Sequence, residues 1–264
     1  MNKPNNMLTP PEIVDILKKL KLTTMANDFM EISEAPQYQE LDFEERMGIL
    51  LFNEMTVRNQ RRMMRYLQRS GLKKVEPFFM AEIDKLIKNK ERNLDERLLN
   101  RLLTCRWIEN SSNVLITGPT GTGKTWVIAL LGKCACQMGY TVKYIRAIKL
   151  IEEIIDAAKH QRLQTYLDGL NRNRLLIIDD LGGKALDTDT AASLLELFEK
   201  RYGNASVIVA SQIPLEGWHD YLETGENDNG GRNSDAIIDR LFNCSYKIAL
   251  DGPSLREVVR TVDD

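Results

Sequence analysis

The amino-acid sequence predicts an α/β fold, a parallel sheet with helices on both faces, preceded by an all-helical region. After Asn113, short and wholly apolar runs alternate with segments of helical periodicity, which is typical of buried parallel strands joined by helices. Before Asn113 the sequence has helical periodicity without strand-like alternation. We therefore predict a helical N-terminal domain over residues 1–108 and an α/β domain over residues 109–264.

The N-terminal region reads as a series of helices. The first begins at Thr9-Pro10-Pro11-Glu12, which offers a capping hydroxyl, proline in the first turn and a carboxylate near the positive end of the helix dipole. Further helices are predicted at residues 24–32, 42–68, 78–90 and 94–105. Ser70-Gly71 ends the long helix, because glycine commonly follows a last helical turn.

The α/β region reads as strands separated by helices. The predicted strands span residues 114–116, 141–145, 175–178, 206–210 and 246–250. The predicted helices span residues 124–138, 147–167, 189–202 and 234–242. Residues 225–233 are polar and rich in glycine, which predicts a mobile loop, either a solvated insertion or a partner contact.

The composition is ordinary for a soluble globular protein, with 43% apolar and 28% charged residues. A net charge of −2 neither indicates nor excludes a nucleic-acid partner. The start of the chain lacks the apolar core of a signal peptide, and no run of 18 apolar residues occurs, so we expect a cytoplasmic protein that does not span a membrane. Four cysteines without zinc-site spacing are expected to be buried thiols: Cys105, Cys134, Cys136 and Cys244.

Residues 118–125 read GPTGTGKT and fit the pattern G-x-x-x-x-G-K-[ST] at every fixed position. Glycines let backbone N–H groups approach a polyphosphate, and the helix that follows points its positive end at it. Lys124 is predicted to reach the β and γ phosphates of ATP, and the Thr125 hydroxyl to ligate Mg²⁺. A loop that only turned the chain would not require these two side chains. The predicted nucleotide-binding residues are Gly118, Pro119, Thr120, Gly121, Thr122, Gly123, Lys124, Thr125 and Trp126.

A second strand, residues 175–178, delivers two acids to the predicted carboxyl edge of the sheet, where open α/β sheets bind ligands. Asp179 is predicted to hold Mg²⁺ directly or through water, and Asp180 to orient or deprotonate an attacking water. The alternative is a pair of acids that simply face solvent at a strand end.

The N-terminal region holds a basic stripe without an acid between Met55 and Lys74. It comprises Arg58, Arg61, Arg62, Arg65, Arg69, Lys73 and Lys74. Positions 58, 62, 65 and 69 share one helical face, which suits the evenly spaced charge of a DNA backbone. No base-reading motif is visible, so binding is expected to depend weakly on sequence. A solvated basic helix face is the alternative.

The sequence resembles the AAA+ ATPases, and within them the IstB-like transposition helper ATPases and the DnaC-like helicase loaders. The resemblance covers nearly the whole chain. Its motifs are GPTGTGKT at 118–125, LLIIDDLG at 175–182, ASQIPLEGWHD at 210–220, DAIIDRL at 235–241 and GPSLR at 252–256. The pattern LDFEERMGILLFNEMTVRNQRR is similar to the IstB arm.

The resemblance implies roles for three further residues. Gln212 matches the sensor position that contacts the γ-phosphate and the lytic water, although asparagine is common there. Arg240 matches an arginine finger that enters a neighbouring subunit's site, the alternative being an ion pair with Asp235 or Asp239 of its own helix. Arg256 matches a residue that contacts either nucleotide or a neighbouring subunit.

Other features of this sequence depart from the family pattern. We expect no helical lid domain of the kind that many AAA+ proteins carry. Asp-Asp replaces the common Asp-Glu, and Trp126 stands where IstB relatives commonly carry histidine. The shorter second acid predicts slow hydrolysis.

The function implied by the resemblance is an ATP-dependent, DNA-binding regulator of transposition. It would form homo-oligomers on duplex DNA, select or remodel the target, and recruit or activate a partner transposase, with ATP hydrolysis as the reset. ATP and Mg²⁺ are the expected cofactors. The alternative implied by the resemblance is a DnaC-like loader of a replicative helicase.

Overall fold

A computed structural model describes residues 8–72, 93–183, 186–223 and 228–254 of the chain, with only the backbone described for residues 228–232. The chain separates into two compact units, Met1–Met64 and Arg65–Asp264. Within the described residues, no helix is both long and apolar enough to cross a membrane.

The first unit is helical, as predicted. It contains α1 (Pro10–Lys19), α2 (Thr23–Glu34) and most of α3 (Phe43–Ser70), and the division between the units lies within α3. The predicted start of α1 is confirmed, because the backbone N–H and the hydroxyl of Thr9 both donate to Glu12 Oε2 at 2.7 Å. A small apolar core contains Leu17, Met25, Ala26, Ile32 and Leu50.

The second unit begins with the last six residues of α3 and continues through α4 (Glu96–Leu103) and α5 (Arg106–Glu109). Leu72, Leu99 and Trp107 are buried in the same core as strands of the sheet. The two compact units therefore meet at residues 64 and 65, well before residue 108. The domain boundary between residues 108 and 109 concerns independently folding domains and stays a prediction. The helix predicted at residues 78–90 lies outside the described residues.

The remaining elements alternate between strand and helix. They are β1 (Asn113–Thr117), α6 (Lys124–Gln137), β2 (Val142–Arg146), α7 (Ala147–Lys159), α8 (Leu163–Asn171), β3 (Leu175–Leu181), α9 (Thr188–Arg201), β4 (Ser206–Ser211), α10 (Trp218–Leu222), α11 (Asp228–Phe242) and β5 (Ser245–Ala249). In the described part of the chain, five strands form one parallel sheet in the order β2-β3-β4-β1-β5. The predicted α/β fold with a preceding helical region is confirmed.

Two segments differ from the predictions. The single helix predicted over residues 147–167 is broken into α7 and α8, because Gln161 takes a positive φ of 55° and the N–H of Arg162 turns back to the carbonyl of Ala157 at 2.8 Å. The loop predicted at residues 225–233 is wrong from Asp228 onward, where α11 begins, and residues 225–227 lie outside the described residues. Glycine lowers helix propensity by only about 1 kcal/mol, which the packing of the later turns of α11 can offset.

The sheet is buried on both faces. One core contains Ile116, Leu131 and Ile177, and the other contains Leu115, Leu150 and Leu176. Helix α6 approaches the sheet closely at Gly132, where an added Cβ would lie 2.7 Å from Leu72 Cδ1 and 2.9 Å from Ile177 Cδ1. A larger side chain at this position would therefore push α6 away from the strands.

The cysteines are all free, and two of the four are buried as predicted. Cys105 and Cys136 are buried and Cys134 is half-buried, whereas Cys244 is exposed in the turn before β5, so its predicted burial is wrong. Burial raises the pKa of the Cys105 thiol to about 12 and that of Cys136 to about 11. Both thiols are therefore uncharged at neutral pH and serve as small apolar groups.

Arg201, at the end of α9, is the largest fully buried charged side chain among the described residues, with 1% of its surface exposed. Its guanidinium donates to the carbonyls of Leu170 at 3.2 Å, Asn173 at 3.0 Å and Ser206 at 2.7 Å. Burial lowers the pKa of the group to about 9, which still leaves it charged at neutral pH. One side chain thus joins the end of α8 to the start of β4.

We expect Arg201→Ala to lower the free energy of unfolding by about 3 kcal/mol, because the buried carbonyls lose their donor. Urea denaturation followed by circular dichroism measures the change. Arg172→Ala is the control, since Arg172 is exposed, and it is expected to alter stability by less than about 0.5 kcal/mol. Equal effects of the two substitutions would show that the carbonyl contacts are unimportant.

Candidate nucleotide-binding site

The loop between β1 and α6 adopts a backbone that only glycine accommodates easily. Gly121 has a φ of 86° and Gly123, at the N-terminus of α6, a φ of 102°. An added Cβ on Gly118 would collide with the carbonyl of Leu250, and one on Gly121 with the side chain of Ser254. The segment after β5 therefore lies directly against the loop, and both glycines are required by close approach.

Lys124 occupies the first turn of α6 and is 8% exposed. Its ammonium donates to the carbonyls of Gly118 at 2.5 Å and Pro119 at 2.8 Å. Thr122, also buried, donates its hydroxyl to the carbonyl of Pro119 at 2.9 Å and helps to fix the loop. The site thus combines a lysine charge with a helix N-terminus, the two features that attract phosphate groups.

Thr125 and Asp179 meet at the carboxyl edge of the sheet. The Thr125 hydroxyl donates to Asp179 Oδ2 at 3.1 Å, although the two residues are 54 positions apart in sequence. Burial raises the pKa of the Asp179 carboxyl, and hydrogen bonds from Tyr144 and Thr125 oppose that rise. A hydroxyl and a carboxylate are hard oxygen ligands of the kind that Mg²⁺ prefers, so this pair fits the predicted metal.

Asp180 lies at the centre of a second set of contacts. Gln212 donates to its Oδ1 at 2.9 Å, and Arg146 forms an ion pair with its Oδ2 at 2.9 Å. Thr120 of the loop donates to Gln212 Oε1 at 2.8 Å, which links the loop to the acid. Burial raises the pKa of Asp180, but the bonds from Gln212 and Arg146 outweigh it, so the pKa is lowered and the group is ionised at neutral pH.

The structure adds two residues that the sequence analysis did not single out, Tyr144 and Arg146 of β2. The Tyr144 hydroxyl donates to Asp179 Oδ2 at 2.9 Å, so each residue contacts one of the two acids. Strand β2 pairs with β3 in a register that sets Arg146 opposite Asp179. The sequence signal that could have identified Tyr144 and Arg146 is their spacing of two residues at the end of the strand predicted over residues 141–145.

Arg240 lies on α11, and its contacts are with residues outside this set. Its guanidinium contacts Asp239 at 2.7 Å and Glu199 at 3.8 Å and lies 5.4 Å from the centre of the Tyr202 ring. The alternative pairing with Asp239 is therefore present, whereas Asp235 contacts His219 at 3.0 Å.

The backbone behind Arg240 is fixed by Asn113 of β1. The Asn113 amide donates to the carbonyls of Arg240 at 3.2 Å and Leu241 at 3.1 Å, and its oxygen accepts from Val207 of β4 at 3.0 Å. Asn113 is buried, so these bonds are shielded from water.

Trp126 and Arg256 are the remaining residues predicted to bind nucleotide. Trp126 is half-buried in the first turn of α6, and its backbone N–H donates to the carbonyl of Gly123 at 3.0 Å. Arg256 lies outside the described residues, as do Lys73 and Lys74 of the basic stripe.

The fold and this site define a P-loop protein of the AAA+ type, the P-loop being residues 118–125. As in that type, β4, which leads to Gln212, lies between β1, which leads to the P-loop, and β3, which carries Asp179 and Asp180. Residues 15–261 match the family model described as IstB-like ATP binding protein. The chain therefore belongs to the family of IstB-like ATP-binding proteins.

Relatives over nearly the full length carry provisional names as insertion sequence ATP-binding proteins. The chain is 32% identical over 252 residues to such a protein, y4uH of Sinorhizobium fredii, with 96% of this chain and 97% of the relative covered. It is 27% identical over 245 residues to the ATP-binding protein of insertion sequence IS21 of Pseudomonas aeruginosa, with 93% and 88% covered.

Solved structures also resemble the chain. One is DnaI, with 19% identity and a TM-score of 0.48 over 61% of this chain and 85% of that one. Another is the DnaC helicase loader, with 14% identity and a TM-score of 0.47 over 71% of this chain and 99% of that one. At these identities the likeness concerns the fold alone.

We expect Gly121→Ala to destabilise the protein by about 1–2 kcal/mol and to weaken ATP binding, because the new Cβ meets both a positive φ and Ser254. Gly169→Ala is the control, since Gly169 lies in α8 with no atom within 4 Å of an added Cβ. It is expected to stabilise the helix by about 0.5–1 kcal/mol. Urea denaturation and titration with a fluorescent ATP analogue measure the two effects, and unchanged values for Gly121→Ala would contradict the close approach.

Proposed function

We propose that this protein is an ATP-hydrolysing, DNA-binding regulator of transposition that works as a homo-oligomer in the cytoplasm and acts on a partner transposase. The proposal rests above all on one observation: Lys124, the Thr125–Asp179 pair and the Gln212–Asp180 pair converge at one edge of the sheet. Membership of the IstB-like ATP-binding family and the insertion-sequence names of the relatives support the link to transposition.

The residues of the site have complementary roles in this proposal. Lys124 and the N-terminus of α6 bind the phosphates of ATP, while Thr125 and Asp179 hold Mg²⁺, which supplies charge neutralisation on the phosphates when bound. Asp180 is an ionised carboxylate that can accept a proton from water or orient it. Gln212, already bonded to Asp180 and Thr120, positions that carboxylate relative to the loop.

Arg240 is proposed to complete the site of a neighbouring copy. Its present contacts, Asp239, Glu199 and Tyr202, are all surface groups on α9, α11 and the turn after α9. Exposed ion pairs contribute about 0–1 kcal/mol, so the guanidinium can exchange them for a phosphate at little cost. A guanidinium also suits the task, because it stays charged and presents a planar fork to phosphate oxygens.

The basic stripe on α3 is proposed to contact the phosphates of duplex DNA. Arg58 forms an ion pair with Glu54 at 2.6 Å, whereas Arg62 donates to the uncharged Asn59 at 3.3 Å. Among the described residues, Arg65 and Arg69 form no ion pair, and both are exposed. The arginines beyond Arg58 are therefore the better candidates for phosphate contacts.

Two single substitutions test the shared site. Lys124→Ala is expected to weaken ATP binding, whereas Arg240→Ala is expected to leave binding intact and reduce DNA-stimulated hydrolysis on the order of 10³-fold. A mixture of the two inactive variants is expected to regain hydrolysis, because the intact loop of one copy then meets Arg240 of the other. Steady-state release of phosphate measures the activity.

Arg101→Ala is the matched control for Arg240→Ala, because Arg101 also stacks on a tyrosine, with its guanidinium 5.3 Å from the ring centre of Tyr246. It is expected to leave hydrolysis unchanged. A mixture that stays inactive would contradict the proposal that two copies share one site. Equal loss of binding and hydrolysis in the Arg240→Ala protein would contradict it as well.

For DNA, the double variant Arg62→Ala/Arg65→Ala is expected to reduce the slope of log K against log[salt] by about 2, since each phosphate contact contributes about 0.9. Fluorescence anisotropy with duplex and single-stranded DNA of the same sequence measures both the slope and the preference. Arg162→Ala/Arg172→Ala removes the same charge from the exposed surface near α8 and serves as control. An unchanged slope would exclude the stripe from the interface, and a preference for single strands would favour a helicase loader.

A further inference from the structure

Tyr144 brings a second hydrogen-bond donor to the carboxylate that we assign to Mg²⁺. Its hydroxyl donates to Asp179 Oδ2 at 2.9 Å, and the Thr125 hydroxyl donates to the same oxygen at 3.1 Å. The two donors come from different elements, β2 and the first turn of α6. They therefore approach one oxygen from two fixed positions.

The fold determines where the Tyr144 hydroxyl can reach. In the parallel pairing of β2 and β3, Tyr144 lies opposite Ile177, two residues before Asp179. Two residues of a strand span about 6.6 Å, so the long phenol side chain has to extend along the sheet toward its carboxyl edge. Its ring packs against the core that contains Leu72 and Ile177, which restricts its motion.

These contacts matter because Asp179 is 5% exposed. A buried carboxylate is unfavourable unless donors satisfy its oxygens, and one carboxylate oxygen accepts about two hydrogen bonds. Thr125 and Tyr144 together fill Oδ2 and hold the carboxylate in one rotamer. With Thr125 alone, the carboxylate could rotate about its side-chain torsion and lose its position beside the loop.

We propose that Tyr144 is a positioning residue of the metal site, acting through Asp179 to preserve the orientation in which Asp179 and Thr125 bind Mg²⁺. The inference rests on the proposed function, since it assigns Mg²⁺ to that pair. In this arrangement Tyr144 contacts neither nucleotide nor metal. Removing its hydroxyl should therefore affect the metal dependence of binding while leaving metal-independent nucleotide contacts in place.

The test is Tyr144→Phe, which removes the hydroxyl and keeps the ring. A fluorescent ATP analogue is titrated at a series of Mg²⁺ concentrations and, separately, in excess EDTA. The Mg²⁺ concentration at half-maximal enhancement of binding is expected to rise about tenfold, as is usual when a residue that orients a metal ligand is lost. The affinity in EDTA is expected to stay unchanged. Electron paramagnetic resonance of Mn²⁺ added with the nucleotide provides a second readout that does not involve hydrolysis.

Tyr166→Phe is the matched control, because its hydroxyl also donates to a carboxylate, Glu153 Oε2 at 2.8 Å, on the helices α7 and α8. This variant is expected to keep the wild-type Mg²⁺ midpoint. If Tyr144→Phe also keeps that midpoint, the positioning role is overturned. If the wild-type protein binds no nucleotide, or binds it without any Mg²⁺ dependence, the proposed function fails before the variants are compared.

Site-specific insertion of p-aminophenylalanine at position 144 restores a donor on the same ring, and p-methylphenylalanine restores only the bulk. This pair also replaces the comparison with phenylalanine if Tyr144→Phe does not fold. A midpoint close to wild type with the amino group and a raised one with the methyl group support the inference. Equal midpoints for the two residues overturn it.

Discussion

The site depends on the burial of the Asp179 carboxylate at the carboxyl edge of the sheet. Four apolar residues precede it on β3 with at most 1% exposure, and Asp179 remains almost as buried as they are. A charge in such a place requires donors, and the surrounding elements supply them from α6 and β2. The buried charge of Asp179 therefore depends on two features of the fold. These are the placement of α6, which brings Thr125, and the register of β2 and β3, which brings Tyr144.

The neighbouring Asp180 experiences a different environment, although it is adjacent in sequence. It takes a left-handed backbone with φ 64° and is held by charged and amide donors, so its pKa is lowered while that of Asp179 is raised. Two carboxylates with opposite shifts suit two different tasks. One can bind a metal ion in a sheltered position, and the other can interact with water at the opening of the site.

Much of this arrangement was predictable because the chemistry of phosphate binding restricts residue types. Local sequence patterns predict the P-loop with its lysine and hydroxyl, the two acids near the end of β3, and the strand that leads to Gln212. Tyr144 and Arg146 did not, because their roles depend on the lateral order and register of β2 and β3, which periodicity does not reveal. The break at Gln161 was missed for a related reason, since a single positive φ leaves little trace in a polar stretch. Helix α11 was predicted too short because its first turn contains glycines that tertiary packing tolerates.

Asn113 has a mechanical consequence for Arg240. The buried side-chain amide of Asn113, at the start of β1, forms hydrogen bonds with the backbone of β4 and with the last turn of α11. These bonds attach the C-terminal end of α11 to the sheet. Rotation of α11 about its axis would break both hydrogen bonds that the Asn113 amide donates to the carbonyls of Arg240 and Leu241. The guanidinium can then change position only through the four side-chain torsions of Arg240, while the backbone of α11 that carries it stays in place.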